Sequence, residues 1–208
     1  MSPGASAAGA ALALNELYDR GLSRTELVPI AGEGEATVSG EVHLDNVAPA
    51  LLGGFTIATD RDVTVVDADI PLVACLPEIA VSTRDARDVV PAGATMEQLI
   101  YTVGRAATLT TGMCRDDPRL VGKGMHDRLV TPARADLIAG YSAVREAALS
   151  AGATGVTVSG AGPGVLAACY PADRQEIAAA MIDGFEDAGV DARAYQTKIG
   201  RGATLYRD

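Results

Sequence analysis

From Leu72 onward the chain alternates short β-branched runs with long amphipathic ones, in an order that few folds accommodate. LVACL at 72–76 reads as a buried strand. Ser82-Thr83 is placed to cap a helix that runs through Val90 and stops at Pro91. Thr95 to about Met113 reads as a long amphipathic helix, and Pro132 to about Leu149 as another. TGVTV (154–158) and GVLAACY (164–170) are strands on either side of a glycine loop, Ser159-Gly-Ala-Gly-Pro-Gly164. Arg174 to Ala188 then reads as a helix and residues 191–197 as a closing strand. A strand, helices, two strands, a helix and a strand make a ferredoxin-like α+β domain, expected over residues 70–208.

Residues 1–69 have a different character. ASAAGAALALNELYDR (5–20) reads as a helix with an apolar stripe through Leu12, Leu14 and Leu17 and with Gly21 as terminator. Ser23 starts a second helix, with Glu26 three residues on as a capping box, and this helix is expected to end or bend near Gly32 and Gly34. A loop at 39–46 leads to a short helix, Val47–Leu52, followed by strand-like runs at Phe55–Thr59 and Val63–Val66. Two helices and a hairpin offer little sheet to lie on, and an isolated hairpin is only marginally stable. The segment therefore reads as the tail of a larger domain.

Composition narrows the function. A net charge of -10 argues against a nucleic-acid partner, which requires a basic stripe. No apolar run approaches a membrane span, and the amino end lacks the cationic start of a secretory signal. Cys75, Cys114 and Cys169 are too widely spaced for a zinc site or a disulfide framework, which fits a reduced cytoplasmic setting. Lys123 and Lys198 are the only lysines among 17 basic residues, and 17 of the 27 acids are Asp. That balance suits a protein adapted to high salt, and equally a genome rich in GC codons. An acidic chain that binds a polyphosphate must hold it with local backbone N–H groups and arginines, since its overall field opposes the ligand.

Several constellations carry chemistry. In His43-Leu-Asp-Asn-Val-Ala-Pro-Ala-Leu-Leu-Gly-Gly-Phe55, three polar side chains crowd an apolar frame, as in a pocket wall. The bland reading is local: Asp45 or Asn46 caps the short helix and Gly53-Gly54 ends it. That leaves His43 and the other polar group without a structural role. Ser2-Pro-Gly-Ala-Ser-Ala-Ala8 places small residues before a helix N-terminus, where N–H groups and the helix dipole meet anions; otherwise it is a flexible terminus. Glu35 alone would be a solvated carboxylate, and Arg87 and Arg134 alone would be surface arginines. The SGAGPG loop alone would be a tight hairpin.

Taken together, these segments resemble the homoserine kinases of the GHMP family of small-molecule kinases. The resemblance covers nearly the whole chain, with its most specific matches at 35–55, 82–91, 131–141 and 157–167. It implies that residues 1–69 are the remnant of the GHMP nucleotide-binding domain, without its first, β-rich part, and that 70–208 are the C-terminal domain. It implies that Ser2, Gly4 and Ser6 of the opening loop, with Gly160 and Gly162 of the SGAGPG loop, bind ATP. The opening departs from the family's Gly-Leu-Gly-Ser-Ser-Ala pattern: the leading glycines are absent, and Pro3 and Gly4 stand where a serine and an alanine are usual. Gly160 and Gly162 are then expected to be glycine because another backbone comes close, and not only because φ is positive.

The same resemblance assigns Glu35 to a Mg²⁺ site, with Glu33 and Glu41 as nearby alternatives, since magnesium needs few carboxylates beside phosphate oxygens. His43 and Asn46 would contact an amino-acid substrate near its hydroxyl. Arg87 and Arg134 would bind its carboxylate, with Thr83 facing the same site and Arg84 ranked below Arg87. The activity implied is transfer of the ATP γ-phosphate to L-homoserine on the route to threonine, by positioning and charge neutralisation. No catalytic base is identified; the aspartate used by some GHMP kinases would lie upstream of Met1. A homodimer is implied by the resemblance alone. Two alternatives stand beside this reading: a GHMP kinase for another small alcohol such as shikimate or mevalonate, and a non-catalytic remnant or subunit-interface module.

Overall fold

In a computed structural model, residues 3–59 and 62–206 are described. The chain divides into two compact units, Met1–Ala68 with Ile199–Asp208, and Asp69–Lys198.

The first unit opens with α1 (Pro3–Leu17), α2 (Arg24–Ser39) and α3 (Leu44–Leu52). Its core gathers Ala8 and Leu12 from α1, Leu27, Val28 and Ala31 from α2, and Val47, Ala48 and Leu51 from α3. Gly4, Ala8 and Leu12 recur every four residues as the buried stripe of α1, whereas Leu14 and Leu17 of the expected stripe are exposed. A face of small side chains lets helices approach more closely than a leucine ridge would. The Ser23–Glu26 capping box forms as expected, but α2 passes through Gly32 and Gly34 and ends at Gly40 in the left-handed region. Gly32 marks an approach instead of a stop: a Cβ there would lie 2.9 Å from Val42 Cγ1.

The third helix begins at Leu44, three residues before its expected start, so Asp45 and Asn46 sit within it and cap nothing. His43 is the N-cap and makes no side-chain capping bond. Two antiparallel strands follow, β1 (Phe55–Ala58) and β2 (Val63–Val66), with Phe55 opposite Val66. The tail from Ile199, expected with the second domain, belongs to this unit. Gly54 N–H donates to Gly200 O at 3.0 Å, and Ala203 N–H to Ala50 O at 2.8 Å. These bonds satisfy backbone groups at the end of α3 that would otherwise be unpaired.

The second unit is a four-stranded antiparallel sheet in the order β4–β5–β3–β6, formed by β3 (Pro71–Pro77), β4 (Gly155–Val158), β5 (Val165–Ala168) and β6 (Ala192–Lys198). Cys75 faces Val165 on one side and Ala194 on the other. Between β3 and β4 run α4 (Thr83–Asp88), α5 (Met96–Cys114), α6 (Pro118–Gly124), α7 (Val130–Ala135) and α8 (Tyr141–Ser150); α9 (Arg174–Glu186) joins β5 to β6. The core packs Val73, Val144, Val165, Ile177, Met181 and Phe185 between sheet and helices. This is the expected ferredoxin-like α+β arrangement.

Two local expectations fail here. The single helix expected over Pro132–Leu149 is broken into α7 and α8 at Gly140, whose φ of 83° no helix tolerates. The helix α6 has no counterpart in the sequence reading. Its start is set by Pro118 at the first position and by Asp117, whose carboxylate accepts from Arg119 and Leu120 N–H.

Candidate active site

In the first unit, four of the candidate residues lie together. Glu35, on α2, is 2% exposed, the only charged side chain among the described residues to be buried so deeply. Its Oε2 accepts the backbone N–H of His43 at 3.2 Å, and His43 Nδ1 lies 3.8 Å from the same oxygen. The other ring nitrogen of His43 is 3.9 Å from Glu41 Oε2. The second carboxylate oxygen of Glu35 faces α1: a Cβ on Gly4 would lie 3.4 Å from Oε1 and 2.9 Å from Asn46 Cβ. Gly4 is therefore required by packing, because any side chain would push α1 away from Asn46 and Glu35.

The first turn of α1, a single buried carboxylate, an imidazole and an amide thus occupy one corner of the unit. Pro3 fits the first helical position, where an N–H would have no intrahelical acceptor. Ser6 lies in the first turn on the exposed side of α1, and Ser2 is outside the described residues. His43 and Asp45 also line an open cavity of about 440 Å³ with Val42, Leu44, Ala58 and Thr59. Among the described residues no group of three or more His, Cys, Asp or Glu side chains is arranged to hold a metal. A cation in this corner would rely on Glu35 and on oxygens of a bound phosphate. A hard carboxylate oxygen beside the N-terminal end of a helix has the chemistry to serve Mg²⁺ together with phosphate oxygens.

In the second unit, Arg134 of α7 is the organising residue. Its Nε donates to Ala86 O at 3.0 Å and its Nη1 to Gly160 O at 2.8 Å. One side chain thereby ties α4, α7 and the glycine loop together. Arg87 follows Ala86 on α4 and is exposed, as is Thr83 at the helix start. Arg84 pairs with Asp88 at 3.8 Å on the surface. Two of Arg134's five N–H groups are spent on carbonyls, and among the described residues no acceptor takes its Nη2 hydrogens or the second hydrogen on Nη1.

The glycine loop corrects one expectation. Gly160 and Gly162 have φ of 57° and 85°. A Cβ on Gly160 would meet nothing within 4 Å, and the nearest atoms to one on Gly162 belong to the side chains of Ile138 and Val158. Backbone conformation, not the approach of another backbone, calls for glycine at both positions. Ser159 N–H closes the loop onto Gly164 O at 2.7 Å, and Gly162 is followed by a cis peptide to Pro163.

Sequence reasoning missed Asp127, which anchors the start of α7. Its Oδ1 accepts from Leu129 N–H and its Oδ2 from Val130 and Thr131 N–H. Burial alone would raise its pKa, but these backbone bonds and the Thr131 hydroxyl outweigh that and hold it below the usual carboxylate value. An Asp two to four residues before a short helix was the available signal.

Comparison with known proteins now bears on this geometry. Over 205 residues the chain is 69% identical to the homoserine kinase of Haloarcula marismortui and 71% identical to that of Haloquadratum walsbyi, covering 99% of this chain and 70% of each relative. The chain belongs to the homoserine kinases. The model of the GHMP kinases N terminal domain matches residues 2–54, and that of the GHMP kinases C terminal matches 109–187. The crystal structure of homoserine kinase from Cytophaga hutchinsonii is similar at 34% identity with a TM-score of 0.85, covering 91% of this chain and 62% of that one.

The chain therefore spans somewhat under two thirds of that solved relative, and about 70% of the curated ones. The two matched regions contain the α1–Glu35–His43–Asn46 corner in the N-terminal GHMP region, and Arg134 with Gly160 in the C-terminal one. Its family is one of ATP-dependent small-molecule kinases. No described helix is long and apolar enough to cross a membrane.

Proposed function

We propose that the protein to which these residues belong transfers the γ-phosphate of ATP to the side-chain hydroxyl of L-homoserine, giving O-phospho-L-homoserine on the route to threonine. The observation that carries this reading is identity of 69–71% to homoserine kinases over 205 residues. The site chemistry supports it residue by residue. The first turn of α1, with Gly4 and Ser6, presents backbone N–H groups to the nucleotide phosphates. Glu35 is the protein ligand for Mg²⁺, whose charge would neutralise phosphate oxygens. His43, oriented by its contacts with Glu35 and Glu41, and Asn46 position the acceptor hydroxyl. Arg87 and Arg134 take the carboxylate, with Thr83 beside them, and the pinned Arg134 presents its remaining N–H groups end-on. We propose further that the enzyme acts in the cytoplasm.

Catalysis on this reading is positioning and electrostatic stabilisation, with no base assigned among these residues. The experiment is an ADP-release assay with Mg-ATP and a panel of acceptors comprising L-homoserine, shikimate and mevalonate, run on the chain and on a version extended at its amino end. Turnover restricted to homoserine is expected. Preference for either other alcohol refutes the acceptor assignment, and absence of Mg-ATP binding at millimolar concentration in both versions favours a non-catalytic role.

A further inference from the structure

A second cluster of charged groups lies in the Asp69–Lys198 unit, apart from the residues assigned to homoserine. Arg105 and Arg128 bring their guanidinium carbons to 4.7 Å and 4.1 Å from the ring centroid of Tyr101. The Tyr101 hydroxyl is 2.6 Å from His126 Nδ1, and Arg105 Nη1 donates to Lys123 O at 2.8 Å. With Lys123 and Arg145 these groups line a cavity of about 340 Å³ against β4. A second cavity of about 330 Å³ shares His126, Arg128 and Arg145 with it.

The charge balance of this pair of cavities is unlike that of the chain. The protein carries a net charge of -10, yet Arg105, Lys123, Arg128 and Arg145 form no ion pair among the described residues. The one acid on the wall, Asp127, has both oxygens committed to backbone N–H groups of α7. Four cations gathered around a single carboxylate repel one another, and a surface evolving only for solubility would intersperse more acids among them. Tyr141 supplies an independent observation. It lines the second cavity and is 6% exposed, and its hydroxyl has no hydrogen-bond partner among the described residues. A buried hydroxyl without a partner is rare and points to a group that completes it.

We infer that these adjoining cavities form a binding site for a multivalent oxyanion of the phosphate class, held by Arg105, Lys123, Arg128 and Arg145 with Tyr141 as a further donor. Guanidinium groups meet phosphate oxygens with paired, charge-assisted bonds, and four cations match a dianion better than a single carboxylate. Inorganic phosphate and the phosphate group of a small organic ester share this chemistry. Thr131 and Pro132 of α7 also line the second cavity, so a bound anion abuts the helix that carries Arg134.

His126 reports on occupancy. Burial, then the charges of Arg105, Arg145 and Arg128, hold its pKa below the usual 6.5, with Asp127 opposing. Tyr101 and Lys123 in the first cavity and Tyr141 in the second are the other titratable groups lining the cavities that His126 shares. An anion neutralising the arginines raises the pKa of the imidazole, so binding of a given charge state of the anion is coupled to proton uptake at His126.

The test uses the whole chain, whose only histidines are His43 and His126, so that their ring-proton resonances are readily told apart. Inorganic phosphate, pyrophosphate and glycerol 3-phosphate, each on the order of 5 mM, are expected to raise the His126 titration midpoint by about half a unit. Calorimetric titration should give one site whose affinity falls about ten-fold in Arg145→Ala and less in Arg145→Lys. Tighter binding of glycerol 3-phosphate than of phosphate identifies an ester as the ligand source, and equal binding identifies the free ion. An unmoved His126 with all three probes overturns the proposal even if the variants fail to fold, as does unchanged affinity in a folded Arg145→Ala.

Discussion

Arg134 Nη1 donates to the carbonyl oxygen of Gly160 at 2.8 Å, so the loop between β4 and β5 is tied to α7 by a charged side chain. The Nε bond of the same residue to Ala86 O carries the tie onward to the residue before Arg87. A residue so placed serves structure and ligand together, and its replacement should be felt in both.

Arg134→Ala is expected to lower stability by about 1–3 kcal/mol, because two carbonyls lose a charged donor. In a catalytically competent form it should weaken homoserine binding far more than ATP binding. Arg87→Ala should reproduce the selective loss of homoserine affinity. Equal losses for both ligands in steady-state kinetics would show that the carboxylate assignment is wrong.

Glu35→Gln preserves the size of the buried side chain and an acceptor for the His43 N–H, but removes the charge. The Mg²⁺ concentration for half-maximal activity is expected to rise about ten-fold, while L-homoserine affinity changes little. An unaltered Mg²⁺ dependence in a folded variant would remove Glu35 from the metal site.

Gly4→Ala introduces a methyl group 2.9 Å from Asn46 Cβ, against a packed helix. About 1–3 kcal/mol of destabilisation is expected from the overpacking, measured by thermal or urea unfolding. Nucleotide affinity should fall with it, since α1 must shift away from Glu35. Gly9→Ala on the same helix meets nothing within 4 Å and serves as the control.

Asp127 sets a pH dependence whose sign is opposite to that of a merely buried acid. Its folded-state pKa is depressed by the N–H bonds from α7 that outweigh burial, so its stabilisation is fully present above the unfolded value of about 3.9 and is lost as pH falls through the folded value. Asp127→Asn should therefore be destabilised at pH 7 relative to the parent, with the gap closing below about pH 4. A gap that persists unchanged to pH 3 in urea titrations would show that the carboxylate charge contributes nothing there.

Much of the fold was legible because the relevant bonds join residues close in sequence. The Ser23–Glu26 capping box spans three residues, and the strands around the glycine loop are short, β-branched and paired across that one tight loop. Within the N-terminal unit, Glu35, His43 and Asn46 are separated by at most eleven positions, so a family pattern read along the sequence spans all three. The Gly4 contact with them needed the return of α1 against α3.

By itself the sequence determined the element types, the ferredoxin-like order and the family pattern, since each rests on periodicity and on hydrogen bonds that close within a few residues. Tertiary structure alone decided that Leu14 and Leu17 face outward, that the last residues pair with Ala50 and Gly54, that Arg134 spends two donors on carbonyls, and that cations from residues 105 to 145 share one pair of cavities. Those outcomes depend on partners distant along the chain, brought near only when apolar faces are buried, and no local pattern encodes which partner arrives.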